Sequence, residues 1–255
     1  MTRADGAAPA LPAGTLEARD VYRSFGGVTA LAGCSLRVEP GTITGLIGPN
    51  GSGKTTLFNC ITGFYQVDQG QVTFGGVPIQ GRRPNEIVHM GVVRTFQVTR
   101  IFRGMSVLEN MIVPLRQQTL KTLFRPAIGG HEQERAEHLL EFFGIVQLRT
   151  HLAGSLSFGQ QKLLELASAL MVGPKLVMLD EPAGGLNPIM IERMAGYIHE
   201  LNQQGTTFCI VEHNMDLVMQ FCDPVFVLHR GQTIASGPPS IIREDPLVLD
   251  AYLGD

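Results

Sequence analysis

Five short apolar runs punctuate the chain, at 42–47 (TITGLI), 92–96 (VVRTF), 176–179 (LVML), 206–211 (TTFCIV) and 225–228 (VFVL). The first, third and fourth are apolar or nearly so from end to end, the pattern of parallel strands covered on both faces. Helical patterns follow several of them, which predicts an α/β sheet with crossover helices. LEARDVYRS, CSLRVEP and QVTFGG, on either side of the first run, alternate more and predict an antiparallel edge. Residues 98–155 differ in character. They hold VLENMIVPLRQQ and HEQERAEHLLEFFGI, both helical in period, with no convincing strand between them. This predicts a helical insertion between two halves, 15–97 and 156–255, of one α/β core. Residues 1–14 place Pro, Gly and charge where a signal peptide needs an apolar core, so a loose tail is expected there.

The first run leads straight into Gly48-Pro49-Asn50-Gly51-Ser52-Gly53-Lys54-Thr55-Thr56, which matches G-x-x-x-x-G-K-[ST] in full and opens the helical run LFNCITG. That strand–loop–helix context is what the pattern requires. Glycines let the backbone curl so that successive N–H groups converge on phosphate oxygens at a helix N-terminus. In such a loop Lys54 bridges the β- and γ-phosphates and the Thr55 hydroxyl ligates Mg²⁺. The run LVML ends in Asp180 and Glu181, carboxylates at the end of a strand where an open α/β sheet presents ligand groups. Asp180 is the expected Mg²⁺ partner; Glu181 suits a general base for the water that attacks the γ-phosphate. The structural alternative is that the pair caps the following helix.

Two further residues stand at similar places. His213 ends the strand run in CIVEHNMD, and Gln97 follows VVRTF; taken alone each is unremarkable. Nothing in the sequence separates Glu212, beside His213, from a solvated carboxylate. In SLSFGQQKLLELASAL, Ser157 is a good N-cap with Gln160 at capping-box spacing. Leu163, Leu166, Ala167 and Leu170 fall on one helical face, expected to pack inward and leave the N-terminus free. An exposed helix N-terminus with a Ser hydroxyl and a Gly backbone can receive an anion, although an ordinary capped helix has the same sequence.

Composition changes this picture little. With 44% hydrophobic residues, 17% charged and a formal net charge of −3, the chain has no global pull towards nucleic acid. Cys34, Cys60, Cys209 and Cys222 are far apart without metal-ligand spacing, so buried free thiols in a reducing compartment are expected. No stretch approaches the roughly 20 apolar residues needed to span a bilayer. If the protein serves a membrane, it does so from the water side.

GPNGSGKT, RTFQ, LSFGQ, LVMLDEP and the His of VEH, in this order between residues 20 and 215, resemble the nucleotide-binding subunit of ATP-binding cassette (ABC) transporters. The resemblance implies a P-loop NTPase core with an N-terminal antiparallel β subdomain and an inserted α-helical subdomain. It also implies ATP and Mg²⁺ as ligands. Two subunits then sandwich two ATP molecules head to tail, and Ser157, Gly159 and Gln160 bind the γ-phosphate held by the other subunit. Gln97 becomes the loop residue that touches Mg²⁺ or the lytic water, His213 the γ-phosphate switch, and Phe25 the aromatic that stacks on adenine, with Tyr22 nearby. The helical insertion carries the surface that receives a coupling helix. Two residues depart from the pattern: Phe158 stands where LSGGQ has Gly, and Asn187 stands in PAGGLNP where an Asp is usual.

GPNGSGKTTLFNCITGFY, VVRTFQVTRIF, LSFGQQ, AGGLNP and the ending AYLG are similar to the LivG-type ATPases of branched-chain amino acid importers. That similarity implies a second, related ATPase subunit, two membrane permease subunits and, indirectly, a periplasmic binding protein. It also implies a place at the cytoplasmic face of the inner membrane, peripherally bound, with no nucleic acid partner. Related systems carry urea or small organic acids. A soluble cassette acting on DNA or ribosomes usually carries two cassettes or a long coiled coil, and this chain has one P-loop and no sustained heptads. A P-loop kinase or GTPase is disfavoured by LSFGQ and by the lack of an N-K-x-D motif.

Overall fold

The structure, a computed structural model, describes residues 12–95, 99–115 and 129–253. Strands β1 (Leu16–Phe25), β2 (Val28–Val38), β4 (Gln69–Phe74) and β5 (Val77–Pro78) form an antiparallel sheet in the order β2-β1-β4-β5. A six-stranded sheet has the order β10-β9-β3-β8-β7-β6. Its strands are β3 (Ile43–Ile47), β6 (Val92–Arg94), β7 (Leu176–Asp180), β8 (Thr207–Val211), β9 (Val225–His229) and β10 (Gln232–Gly237). All neighbours in it are parallel except β9 and β10.

All five apolar runs are therefore strands, and β3, β7 and β8 are buried at every position. Cover on both faces explains why they read as apolar without alternation. Of the run predicted over 92–96, Val92–Arg94 form the strand and Thr95 N–H donates to the Met178 carbonyl at 3.0 Å, while residue 96 lies outside the described residues. The edge strand β10 was not predicted; its side chains are half-exposed and its composition is turn-like.

The helices are α1 (Lys54–Ile61), α2 (Pro84–His89), α3 (Val107–Ile112), α4 (Gly130–Phe142), α5 (Phe158–Leu170), α6 (Pro188–Gln203), α7 (Met215–Phe221), α8 (Pro239–Ile242) and α9 (Pro246–Leu253). Successive strand residues point to opposite faces, and the core divides accordingly. Leu46, Met178, Cys209 and Val211 pack with α1 and the antiparallel sheet. Ile47, Val177, Leu179, Phe208 and Ile210 pack with α3, α4, α5 and α6. The four cysteines are buried and free, and burial pushes the thiols of Cys34 and Cys60 up to about 11. They are protonated, apolar filling at neutral pH. Among the described residues no helix is long and apolar enough to cross a membrane.

Helix α5 departs from its predicted one-sided pattern. Leu163, Leu166, Ala167 and Leu170 are buried as expected, but so are Gln161, Lys162 and Glu165. The cause is its position: α3 and α4 cover one side, and the six-stranded sheet and α6 lie on the other. Its polar groups are bonded within the protein. Gln161 Nε2 donates to the Leu156 carbonyl at 2.9 Å, and Glu165 Oε1 accepts from Arg100 N–H at 3.2 Å.

The departure at Asn187 has a local structural role. Its side-chain oxygen accepts from Met190 N–H at 2.9 Å and caps α6, with Pro188 at the first helical position. Asn187→Ala is expected to cost about 1 kcal/mol, a drop of roughly 2–4 °C in the melting temperature of a chain this size. Thermal denaturation checks this, and an unchanged midpoint contradicts the cap.

Candidate nucleotide site

The loop between β3 and α1 is shaped by backbone that only glycine fits. Gly48 has φ 147°, and a Cβ there would run into the Leu228 carbonyl oxygen. Gly53 has φ 108°, and a Cβ would sit 2.7 Å from the carbonyl oxygen of Ala30 on β2. Gly231 N–H donates to the Ser52 carbonyl at 2.9 Å, so the turn between β9 and β10 supports the loop from below. Lys54 crosses back over the loop. Its ammonium donates to the carbonyls of Gly48 (2.7 Å) and Pro49 (2.8 Å) and to Ser52 Oγ (3.3 Å). Burial holds this ammonium below the usual lysine range, while the charges of Glu181 and Asp180 pull it back up.

Above the loop opens a cavity of about 310 Å³ lined by Asn50, Gly51, Gly53, Lys54, Thr55, Thr56, Ala30, Glu181 and His213. Residues from β2, the loop, the end of β7 and the end of β8 thus meet in one place. This is the end of the sheet at which an open α/β fold gathers its ligand groups. A glycine-shaped loop, a helix N-terminus and an ammonium suit a polyphosphate.

Glu181 is one of three non-glycine residues with positive φ among those described, at 50°. Such backbone is costly for a Glu and is retained where the surroundings enforce it. Here Glu181 N–H donates to the Val211 carbonyl at 2.9 Å, and its Oε1 lies 2.7 Å from His213 Nε2. His213 is thereby brought onto Glu181 from a neighbouring strand, although its sequence gives no sign of a partner. A carboxylate held against an imidazole beside a phosphate cavity has the geometry of a base with an orienting partner.

Asp180 is nearly inaccessible, and Arg94 Nη2 donates to its Oδ2 at 2.6 Å. Its other oxygen, Oδ1, is buried without a hydrogen-bond partner among the described residues. Arg94 escaped the sequence reading, but a signal was present: a charge inside a strand of a fully covered sheet must be paired. Glu212 is a second omission and a correction. It is buried rather than solvated, accepting from Ala183 N–H at 2.7 Å and His213 N–H at 3.0 Å. It fastens the segment after Glu181 to the segment that carries His213.

Ser157 caps α5 as the capping box predicts: its Oγ accepts from Gln160 N–H at 3.3 Å, and Gln160 Oε1 accepts from Ser157 N–H at 2.9 Å. Ser157 and Phe158 are exposed, and neither they nor Gly159 and Gln160 line the cavity of their own chain. Phe158 leans on Gly185, where an added Cβ would sit 3.0 Å from its ring, and Gly159 faces Met190 just as closely. The two departures, Phe158 and Asn187, therefore lie in one packed patch rather than at separate points.

Phe25 is half-exposed at the end of β1 and does not line the phosphate cavity; Arg23 lies 4.6 Å from its ring centroid and Tyr65 meets it edge-on at 5.0 Å. Arg23 is held in turn by Asp68 at 2.6 Å, whose carboxyl is kept below the usual range by Ser24 N–H and by Arg23. Tyr22 instead has its hydroxyl end over Gly33. Gln97 lies outside the described residues.

A family model described as ABC transporter matches residues 31–184, and one described as branched-chain amino acid ATP-binding cassette transporter matches residues 232–255. The chain is 41% identical to the high-affinity branched-chain amino acid transport ATP-binding protein BraF of Pseudomonas aeruginosa, over 94% of this chain and 98% of that one. It is 40% identical to the Escherichia coli LivG protein over the same shares. Among solved structures, the ADP conformation of an ATP-binding cassette of an ABC transporter matches with a TM-score of 0.85 and 37% identity, covering 95% of this chain and 99% of that one. A nucleotide-free cassette matches with a TM-score of 0.84 and 36% identity, covering 95% of this chain and all of the other. A loop built for polyphosphate, a strained Glu beside it and these likenesses converge: the chain belongs to the ATP-hydrolysing cassettes of ABC transporters, in their branched-chain amino acid group.

Proposed function

We propose that this chain powers a branched-chain or other hydrophobic amino acid importer from the cytoplasmic face of the membrane. In this reading it pairs with a second, related ATPase subunit beneath two permease subunits, with a periplasmic binding protein delivering the solute. The observation that carries it is the separation of two phosphate-binding ends. Lys54, Glu181 and His213 gather at one cavity, whereas the exposed N-terminus of α5 lies outside it. A signature so placed has a use when another subunit's nucleotide comes to it. Residues 15–97 and 156–255 then act as the catalytic core, and 98–155 as the helical insertion that meets the permease.

The residues in and beside the cavity fit Mg²⁺. Asp180, next to the cavity-lining Glu181, offers a buried oxygen without a partner among the described residues, and Thr55 lines the cavity. Thr55 and Asp180 would hold the ion, with Gln97 completing the set, and Mg²⁺ neutralises charge on the β- and γ-phosphates when bound. Lys54 exchanges its loop carbonyls for phosphate oxygens. Glu181 takes the proton of the attacking water, and His213 orients both Glu181 and the γ-phosphate. Closure around two nucleotides moves the permease, and hydrolysis reopens the pair.

Purification from native membranes with identification of the co-purifying subunits is the test. Leucine, isoleucine or valine is expected to stimulate ATPase activity in the reconstituted complex. Stimulation by urea or an organic acid alone reassigns the cargo, and isolation without any membrane subunit removes the importer reading.

A further inference from the structure

We infer that Arg94 is a positioning residue for the Asp180 carboxylate, tying it to the last turn of the phosphate-loop helix. Arg94 is the third residue of β6, at the edge of the six-stranded sheet, and its side chain is only 5% exposed. One nitrogen, Nη2, holds Asp180 Oδ2 at 2.6 Å. The other, Nη1, holds Asn59 Oδ1 at 2.6 Å and approaches Thr62 Oγ1 at 3.4 Å. The guanidinium carbon lies 5.6 Å from the centroid of the Phe58 ring. Asn59 and Phe58 belong to α1, the helix that begins at Lys54, and Thr62 caps its end.

This arrangement does more than neutralise a charge. A guanidinium presents its donors in a fixed plane, so gripping Asn59 with one nitrogen fixes where the other places Asp180 Oδ2. Fixing Oδ2 fixes Oδ1, the oxygen left without a partner among the described residues. The position of Oδ1 relative to Thr55, at the start of the same helix, is then set by one rigid linkage. Neither Arg94 nor Asp180 lines the cavity, but Asp180 adjoins Glu181, which does, so Arg94 acts through Asp180 and not on the nucleotide. The inference rests on the reading of Asp180 as a Mg²⁺ partner.

The test uses the full-length chain and a fluorescent ADP analogue, titrated first in EDTA and then with increasing Mg²⁺. Outer partners of metal-binding side chains typically govern metal affinity by about 10–100-fold. Arg94→Met is therefore expected to raise the Mg²⁺ concentration needed for half of the metal-dependent tightening by at least ~10-fold, with affinity in EDTA unchanged. Arg94→Lys retains charge without the planar fork and falls between Arg94→Met and the parent. Asn59→Ala leaves both charges in place, shifts the requirement in the same direction, and decides the matter if Arg94→Met fails to fold. Asp180→Asn separates the two levels: an unchanged Mg²⁺ requirement there refutes the metal role of Asp180 itself. If Asp180→Asn shifts the requirement but Arg94→Met leaves it unchanged or tightens it, the positioning role is refuted. Equal weakening with and without Mg²⁺, together with a lower melting temperature, makes Arg94 a purely structural ion pair and also overturns the inference.

Discussion

Glu181→Gln is expected to bind ATP normally and fail to hydrolyse it, with kcat reduced on the order of 10²–10⁴-fold. The amide has the shape of the carboxylate and can still meet His213, which lies 2.7 Å from Oε1 in the parent. It has no basic oxygen to accept a proton from water. Lys54, the loop amides and the Asp180 pair remain intact, so the ATP-bound state accumulates instead of being lost. Phosphate release measures the loss, and size-exclusion chromatography with ATP measures the accumulated two-subunit state. Hydrolysis at the parent rate removes Glu181 from the role of base. A variant that neither hydrolyses nor binds ATP points instead to collapse of the strained turn, where φ at Glu181 is 50°.

Ser157→Arg is expected to leave nucleotide affinity of the isolated chain unchanged while lowering ATPase activity of the assembled complex by about 10²-fold, the scale of losing one charge-stabilising donor. Ser157 is exposed and stands at the N-terminus of α5, so the longer side chain meets no obstacle within the chain. It does lose the cap on Gln160 N–H, which costs about 1 kcal/mol of helix stability. Thermal denaturation accounts for that part. The remainder reports whether a second subunit's phosphate reaches this helix. An active Ser157→Arg complex is incompatible with shared sites.

Much of the architecture was readable because burial on two faces leaves an uninterrupted apolar run, as in β3, β7 and β8. The phosphate loop was readable for a related reason: Gly48 and Gly53 occupy backbone that excludes other residues, so spacing alone marks the turn. What escaped depends on contacts across the chain. Arg94 and Asp180 are 86 positions apart, and Glu212 reaches Ala183 over 29; no local pattern announces either pairing. The all-round burial of α5 was hidden as well. Its Lys162 and Glu165 stand outside the apolar face read from the sequence, and they are buried because the ends of β6 and β7 and helix α6 close over them, at Thr95, Leu179 and Met194. The short strand β10 was missed because an edge strand needs neither an apolar run nor strict alternation.

The enclosure of α5 has a mechanical consequence. A surface helix can fray or tilt at its tip without disturbing its neighbours, but a rod wedged between two layers transmits any push to both. Ser157 sits on the exposed end of such a rod. A force exerted on it by a neighbouring polypeptide would thus arrive at α3 and α4 as one stiff displacement, a lever stroke instead of a local wobble.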